Sequence, residues 1–323
     1  MNILLTIASF SFVTLLGRAI YNILLKRFLF SEIISDIKIQ YFYPLISLFF
    51  IGNLIIFINF FYPIKYFVIP LIALSLSFIV YDIFKNKFEE YFNLENLISF
   101  IFTPGFLGIS TYGVWMGWDT GLYHVPHQLI IRDSSIIFGL TNLNIWFGWS
   151  SIIEYISSIL WIENNFIMLR VLEIIFFCFL FNLIFYFYFQ KENKFYKNIS
   201  LGIILFAFLD NFGYMGGGNG FVPILSVGKY DAALGILFFV LSIMIINAFI
   251  KEEFENSTLL FLMIFSLFAV QIKQTGAYVI FLLVPYIYKF ILKNKISILK
   301  ILKLNLLPLV VSVMWLIKNV ITT

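Results

Sequence analysis

The stretch AALGILFFVLSIMIINAFI, residues 232–250, decides the fold class: nineteen residues with no charge and no proline. At helical rise that length covers about 28 Å, close to the hydrocarbon thickness of a bilayer. A segment in lipid must satisfy its own backbone hydrogen bonds, so the run reads as a helix, and the polar alternation of a barrel strand is absent. Working outward, comparable apolar runs lie at 3–25, 41–61, 66–81, 97–115, 166–189, 201–214, 259–270, 277–291 and 304–320. That makes about ten spans, with brief polar interruptions between them. The chain as a whole agrees, at 62% hydrophobic and 12% charged residues with a mean hydropathy of +0.99, where soluble domains carry about 25% charged residues. The expected architecture is an all-α, polytopic integral membrane helix bundle forming a single transmembrane domain over 1–323.

Composition narrows the function classes. The net charge of +4 is too small and too dispersed for nucleic acid. The single cysteine, Cys178, sits inside an apolar run and provides neither a disulfide framework nor a cysteine metal site. Forty-two Phe beside abundant Ile, Asn and Lys read as the codon bias of an AT-rich genome rather than as a functional aromatic set. Residues 1–23 lack a basic leader and a cleavage site, so they read as a retained first span.

The polar loops alternate in basic content. Lys26, Arg27, Lys38, Lys85 and most other cations fall on one side, while Lys65, Arg132, Lys229, Lys273 and Lys318 fall on the other. The positive-inside rule makes the first side cytoplasmic and turns the N-terminus outward. Both long polar stretches, 117–165 and 210–230, then lie outside, and any chemistry belongs there. Within the first, 122–134 with Pro126 in its first turn and 150–162 capped by Ser150 or Ser151 are expected to form two juxtamembrane helices lying along the interface.

Asp119, in the run GWDTGLYH at 117–124, is the strongest chemical candidate. A partly desolvated carboxylate beside Trp118 and Tyr123 can act as a general base or hold a divalent cation; as an N-cap it would be purely structural. His124 and His127 share a helix face, but no third zinc ligand follows at a recognisable spacing, which leaves them as interfacial polar residues. Arg132 can meet a lipid phosphate, or pair with Asp133 or Glu154. In the second loop the glycine run after Asp210 lacks the Lys-Ser/Thr ending of a P-loop, and Lys229 and Asp231 are either substrate contacts or markers of a helix start. Arg170 and Glu173, one turn apart inside a span, are expected to pair, whereas Arg18 has no obvious partner. Lys273, between Gln271 and Gln274, is a candidate for a lipid phosphate.

These residues together carry a resemblance. The acid in 117–124, the segments GLTNL at 139–143 and FGWSS at 147–151, the Gln271-Ile272-Lys273 turn and WLIKN at 315–319 resemble bacterial polytopic membrane proteins of the GT-C glycosyltransferase type. The resemblance covers about residue 91 to the C-terminus, making 91–323 the GT-C-like core and 1–90 additional N-terminal spans. It implies transfer of a sugar from a polyprenyl-phosphate donor to a lipid or glycan acceptor at the outer face of the bacterial cytoplasmic (inner) membrane. Asp119 would be the catalytic acid, with Tyr123, His124, Arg132, Lys229, Asp231 and Lys273 binding substrate. Three spans precede the acidic loop, where the family's best-known members have one, and the frequent Asp-Glu doublet is absent. The chain also stops where similar proteins continue, the expectation being a truncated frame. The alternatives are a transporter or flippase of lipid-linked glycans, and a non-catalytic subunit of an envelope polysaccharide system.

Overall fold

The computed structural model describes residues 2–28, 33–34, 37–86, 94–112, 115–149, 151–161, 167–189, 194–210, 226–228 and 230–323. The chain is all-α. In order come α1 (Asn2–Ile20), α2 (Tyr43–Asn59), α3 (Val68–Lys85), the short α4 (Leu94–Leu97) and α5 (Thr103–Leu107), then α6 (Val125–Asp133) and α7 (Ile152–Ser158). The second half contains α8 (Ile167–Phe189), α9 (Lys194–Leu209), α10 (Asp231–Lys251), α11 (Asn256–Ile272), α12 (Ile280–Asn294), α13 (Ile298–Leu304) and α14 (Leu306–Thr322). Among the described residues, strand content is confined to two small pairs. β1 (Ile33–Ile34) runs antiparallel to β2 (Ile37–Lys38), and β3 (Trp115–Met116) runs parallel to β4 (Ser226–Val227).

Among the described residues six helical stretches are long and apolar enough to cross a membrane: Asn2–Leu25, Ile39–Asn59, Val68–Lys85, Met168–Phe189, Asp231–Lys251 and Gln274–Asn294. A seventh is reached if α13 and α14, bent by 80° to one another, form one broken span. Large apolar side chains such as Ile69, Phe84, Phe281 and Val320 stand exposed on these helices. On a water-soluble protein so much apolar surface would aggregate, and lipid is the solvent that suits it. The protein is a helical membrane protein, and the run at 232–250 lies within α10.

Two expected spans take another form. The apolar run at 97–115 is not one helix but α4, a π-helical turn at Ile98–Phe102, α5 and a 3-10 segment at Gly108–Tyr112. Pro104 has no amide hydrogen to donate to the preceding turn, and the π-helical turn lies immediately before it, so the run stays helical but changes its hydrogen-bond pattern there. α11 has 17 residues and is buried along almost its whole length, so its apolar character serves protein packing more than lipid contact. Around it Phe42 meets Phe261 at 5.4 Å and Phe265 at 5.3 Å, while Phe268 meets Phe49 at 6.0 Å and Phe176 at 6.2 Å. Phenylalanines that composition alone could not rank are therefore central to the α2–α8–α11 core.

Several polar groups within the helices are satisfied locally. Thr6, Thr14, Ser75 and Ser266 each donate a hydroxyl to the carbonyl four residues earlier, at 2.6–2.9 Å, the usual solution where no water is present. Asn53 of α2 and Gln271 of α11 exchange amide hydrogen bonds of 3.0 and 2.9 Å in the buried core. Gly17 allows α1 to approach α2 so closely that a Cβ there would lie 1.8 Å from the Tyr43 carbonyl oxygen. Small residues at such crossings are what let backbones meet in lipid.

The intramembrane charges depart from expectation. Arg18 does have a carboxylate partner, since its Nε lies 3.5 Å from Asp82 of α3. Asp82 also accepts hydrogen bonds from Asn22 at 2.7 Å and Asn86 at 2.6 Å. The sequence separation of 64 residues hid this pair. Conversely, no ion pair joins Arg170 to Glu173 in α8, although Glu173 is buried; adjacent turns of one helix did not bring their side chains together.

Candidate functional site

The end of the bundle remote from Lys26, Lys38 and Lys85 holds the predicted loop. α2 ends at Asn59, whose amide donates to the carbonyls of Ile131 (3.1 Å) and Ser134 (2.9 Å) and so fixes the C-terminal end of α6. α6 begins later than the expected helix, and a π-helical turn, Thr120–His124, leads into it with Pro126 in the first turn. α7 is shorter than expected; Ser151 caps it by accepting from the Ile153 amide at 3.2 Å, and Ser150 lies outside the described residues.

The i, i+3 spacing of His124 and His127 places both imidazoles on the face of α6 that meets α7. There they enclose Glu154. His124 Nδ1 and His127 Nδ1 donate to its two carboxylate oxygens, each at 2.5 Å. All three residues are buried within the protein. Burial alone would raise the Glu154 carboxyl. The charge of His127 and the hydrogen bonds from both rings outweigh it and pull the carboxyl down to about 2, so Glu154 is ionised at neutral pH. A buried carboxylate held by two donors orients both rings and leaves each Nε2 pointing away from it.

The surroundings are equally specific. His124 packs edge-on to Tyr230 at 5.2 Å, and His127 stacks on Phe147 at 5.4 Å. Gly228, at φ 90°, lies against the His124 ring; a Cβ there would sit 2.4 Å from Cδ2. Only glycine suits both the left-handed backbone and that space. Lys318 of α14 is fully buried, with Nζ 5.7 Å from the Tyr155 ring centre and 3.0 Å from Asn319 Oδ1. Tyr230 and Gln128 are buried neighbours, the Tyr230 hydroxyl facing the Gln128 carboxamide. Burial, then the charges of Glu154 and Glu173, push the Tyr230 phenol up, which brings the buried acid of α8 within electrostatic reach of the site.

Above this buried layer lies an exposed polar edge. Asp119 is exposed rather than partly desolvated, and its side chain makes no capping hydrogen bond. Tyr123 stacks on Trp146 at 5.6 Å, and burial followed by the charges of Asp119, Glu154 and Asp231 raises its phenol. Asp231 at the start of α10 forms an ion pair with Lys273 at the end of α11, both largely exposed. Residues from three distant parts of the sequence thus share one electrostatic neighbourhood.

Arg132 takes neither expected partner. Its Nη1 donates to the Ser158 carbonyl at 2.6 Å, at the C-terminal end of α7 where a cation suits the helix dipole, and its guanidinium lies 5.6 Å from the Trp161 ring. Asp133 pairs instead with Lys65 at 3.0 Å. Lys229 and the glycine run at 211–220 lie outside the described residues. Among the described residues no group of three or more His, Cys, Asp or Glu is arranged to hold a metal ion, so a cation at Asp119 would need ligands from elsewhere.

Sequence reading named His124, His127 and Glu154 singly but did not join them. It passed over Gly228, Tyr230 and the buried Lys318; a lone lysine inside an apolar run was the available signal.

The fold and this site define a helical membrane protein with a buried His–Glu–His cluster beneath an exposed polar edge. The chain belongs to the family described as a domain of unknown function (DUF8201), whose model matches residues 1–323. No curated protein and no solved structure matches the chain.

Proposed function

We propose that the protein is a membrane glycosyltransferase that moves a sugar from a polyprenyl-phosphate donor to a lipid or glycan acceptor at the outer face of a bacterial cytoplasmic membrane. The observation that carries this reading is the convergence of Asp119, Tyr123, Asp231 and Lys273 on one polar edge. In this reading the chain crosses the membrane about ten times, with α6 and α7 as juxtamembrane helices. Asp119, exposed where an acceptor can reach it, takes the proton of the attacking hydroxyl, a contribution of about 10²–10⁴ in rate. The bond between sugar and phosphate breaks as the new glycosidic bond forms, and Lys273, exchanging Asp231 for the departing polyprenyl phosphate, meets the developing charge. The His–Glu–His layer holds the loop that presents Asp119 and Tyr123.

An apolar groove of about 650 Å³ between α1, α2, α3 and α14 suits an isoprenoid chain. Its α2 wall includes Phe50 and Phe57, two residues short of Asn59, whose amide binds the site loop. The test is incubation of membranes with a labelled polyprenyl-phosphate sugar. Transfer of the label to a new covalent partner, lost in Asp119→Asn by about 10²-fold or more, is the expected result; undiminished transfer in that variant refutes the assignment. A second reading, a transporter or flippase of lipid-linked glycans, draws on a polar cavity at the opposite end of the bundle. In the same assay it predicts a change of leaflet without a change of covalent partner.

A further inference from the structure

A second polar feature lies away from the Asp119 end. A cavity of about 520 Å³ opens between the end of α1, the start of α2, residue 86, residues 96–100 and α8. α2 has 17 residues, so the cavity lies about 25 Å along that helix from the loop held by Asn59. Lys26, Lys38 and Lys85 mark this end as the one that the positive-inside rule turns to the cytoplasm.

The lining has a definite chemistry. Arg18, Lys26 and Lys38 contribute cations, and among the described residues no carboxylate lines the cavity. Five carboxamides, Asn22, Gln40, Asn86, Asn96 and Asn182, contribute paired donors and acceptors, and the rings of Tyr21 and Tyr41 complete the wall. The acids stand behind and hold this set in place. Asp82 accepts from Asn22 and Asn86 and pairs with Arg18. Glu95 accepts from Lys38 at 2.6 Å, Gln40 at 3.0 Å and Tyr41 at 2.5 Å. Side chains anchored this way lose little freedom on binding, which favours a ligand.

Two further observations point to an occupant. Asn182 of α8 is 6% exposed and donates to the Ser99 carbonyl at 3.2 Å, yet its Oδ1 has no hydrogen-bond partner among the described residues. A buried acceptor left open beside a polar cavity is completed by a donor from whatever fills it. In addition, the π-helical turns Tyr21–Leu25 and Ile98–Phe102 both contribute lining residues. Such turns are disfavoured geometry found mostly at functional sites, and here they widen α1 and the 94–107 segment where the cavity opens.

We propose that this cavity binds a phosphorylated sugar, its phosphate met by Arg18, Lys26 and Lys38, its hydroxyls by the carboxamides, and its ring face by the tyrosines. The sugar phosphate is either free in the cytoplasm or the headgroup of a membrane lipid; the recognition chemistry is the same. The site is independent of the transferase reading of the Asp119 edge.

The test uses the full chain in lipid nanodiscs, titrated with glucose 1-phosphate, inorganic phosphate, glucose and a farnesyl-phosphate-linked glucose. Saturable binding of one of the two sugar phosphates, tighter than inorganic phosphate or glucose by on the order of tenfold, is the expected result. Binding by the lipid-linked probe alone, weakened by the cavity variants that follow, assigns the membrane source, and binding by the free one assigns the cytoplasmic source. Lys26→Glu, an exposed change that leaves the packed core untouched, and Gln40→Ala each weaken it by roughly tenfold, the loss of one charge-assisted or buried hydrogen bond. Asn182→Leu fills the space and removes the acceptor, and Asp119→Asn leaves binding unchanged, which separates this site from the transferase assignment. The proposal is overturned if neither sugar phosphate saturates, if inorganic phosphate binds as tightly as both, or if Lys26→Glu and Gln40→Ala bind like the parent protein.

Discussion

Replacing Glu154 by Gln keeps the volume of the side chain and removes its charge. In the parent protein both carboxylate oxygens accept from an imidazole. A Gln carbonyl can accept from only one ring, and its amide donates to the other, whose proton must move to Nε2 so that Nδ1 accepts. Two charge-assisted hydrogen bonds of about 1.5–3 kcal/mol each become neutral ones of about 0.5–1.5 kcal/mol. The loss is roughly 2–3 kcal/mol. The carboxyl points the same way: its fall from 4.5 to about 2, which comes from the same two imidazoles, corresponds to about 3 kcal/mol of stabilisation. Because the folded value is depressed, that stabilisation is fully present above about pH 4.5 and is lost as the pH falls toward about 2. Melting of the purified protein in detergent, followed by circular dichroism, checks both statements. At neutral pH Glu154→Gln lowers the midpoint by on the order of 10 °C, and the parent protein approaches the variant as the solution is acidified through that window. A variant melting within about 1 °C of the parent, with the same acid limb, would refute the account of the buried cluster.

Other perturbations separate packing from chemistry. Gly228→Ala combines a φ of 90° with a Cβ 2.4 Å from the His124 ring; it should lower stability by about 1–3 kcal/mol and reduce sugar transfer together with it, read by melting and by the labelled-donor assay. Gly17→Ala drives a methyl into the Tyr43 carbonyl and separates α1 from α2, so the expected outcome is loss of the monodisperse peak in size-exclusion chromatography. Asp82→Ala leaves Arg18 without its carboxylate at a cost of roughly 3–5 kcal/mol, and Arg18→Ala in the same chain recovers part of it, a coupling that a double-mutant melting cycle measures. Lys273→Ala breaks an exposed pair whose contribution to stability is about 0–1 kcal/mol; melting stays unchanged while the half-saturating concentration of polyprenyl-phosphate donor rises.

The class of fold was legible because a bilayer imposes a simple condition on sequence: a run such as 232–250 is long, apolar and uncharged, and α10 follows it closely. Hydropathy says less at 97–115, where it is blind to the π-helical and 3-10 turns around Pro104, and at 259–270, where it does not show that the helix is buried in protein. Ser151 as a cap and Pro126 in the first turn of α6 were also local matters and were read locally. The candidate site was legible only in part. Spacing put His124 and His127 on one face, but it could not say that Glu154, 27 and 30 residues away, would fill the space between them.

What the sequence by itself determined is therefore solvent and secondary structure, both set by the chain within one helix or one turn. Only tertiary structure decided which polar groups meet. Arg18 found Asp82, Asp231 found Lys273, and Asn22, Asn86 and Asn182 became walls of a cavity at the end where no chemistry was expected. The physical reason is that hydrophobic burial depends on the composition of each segment, whereas a hydrogen bond or ion pair depends on two atoms arriving within about 3 Å, and that is fixed by how separate helices cross.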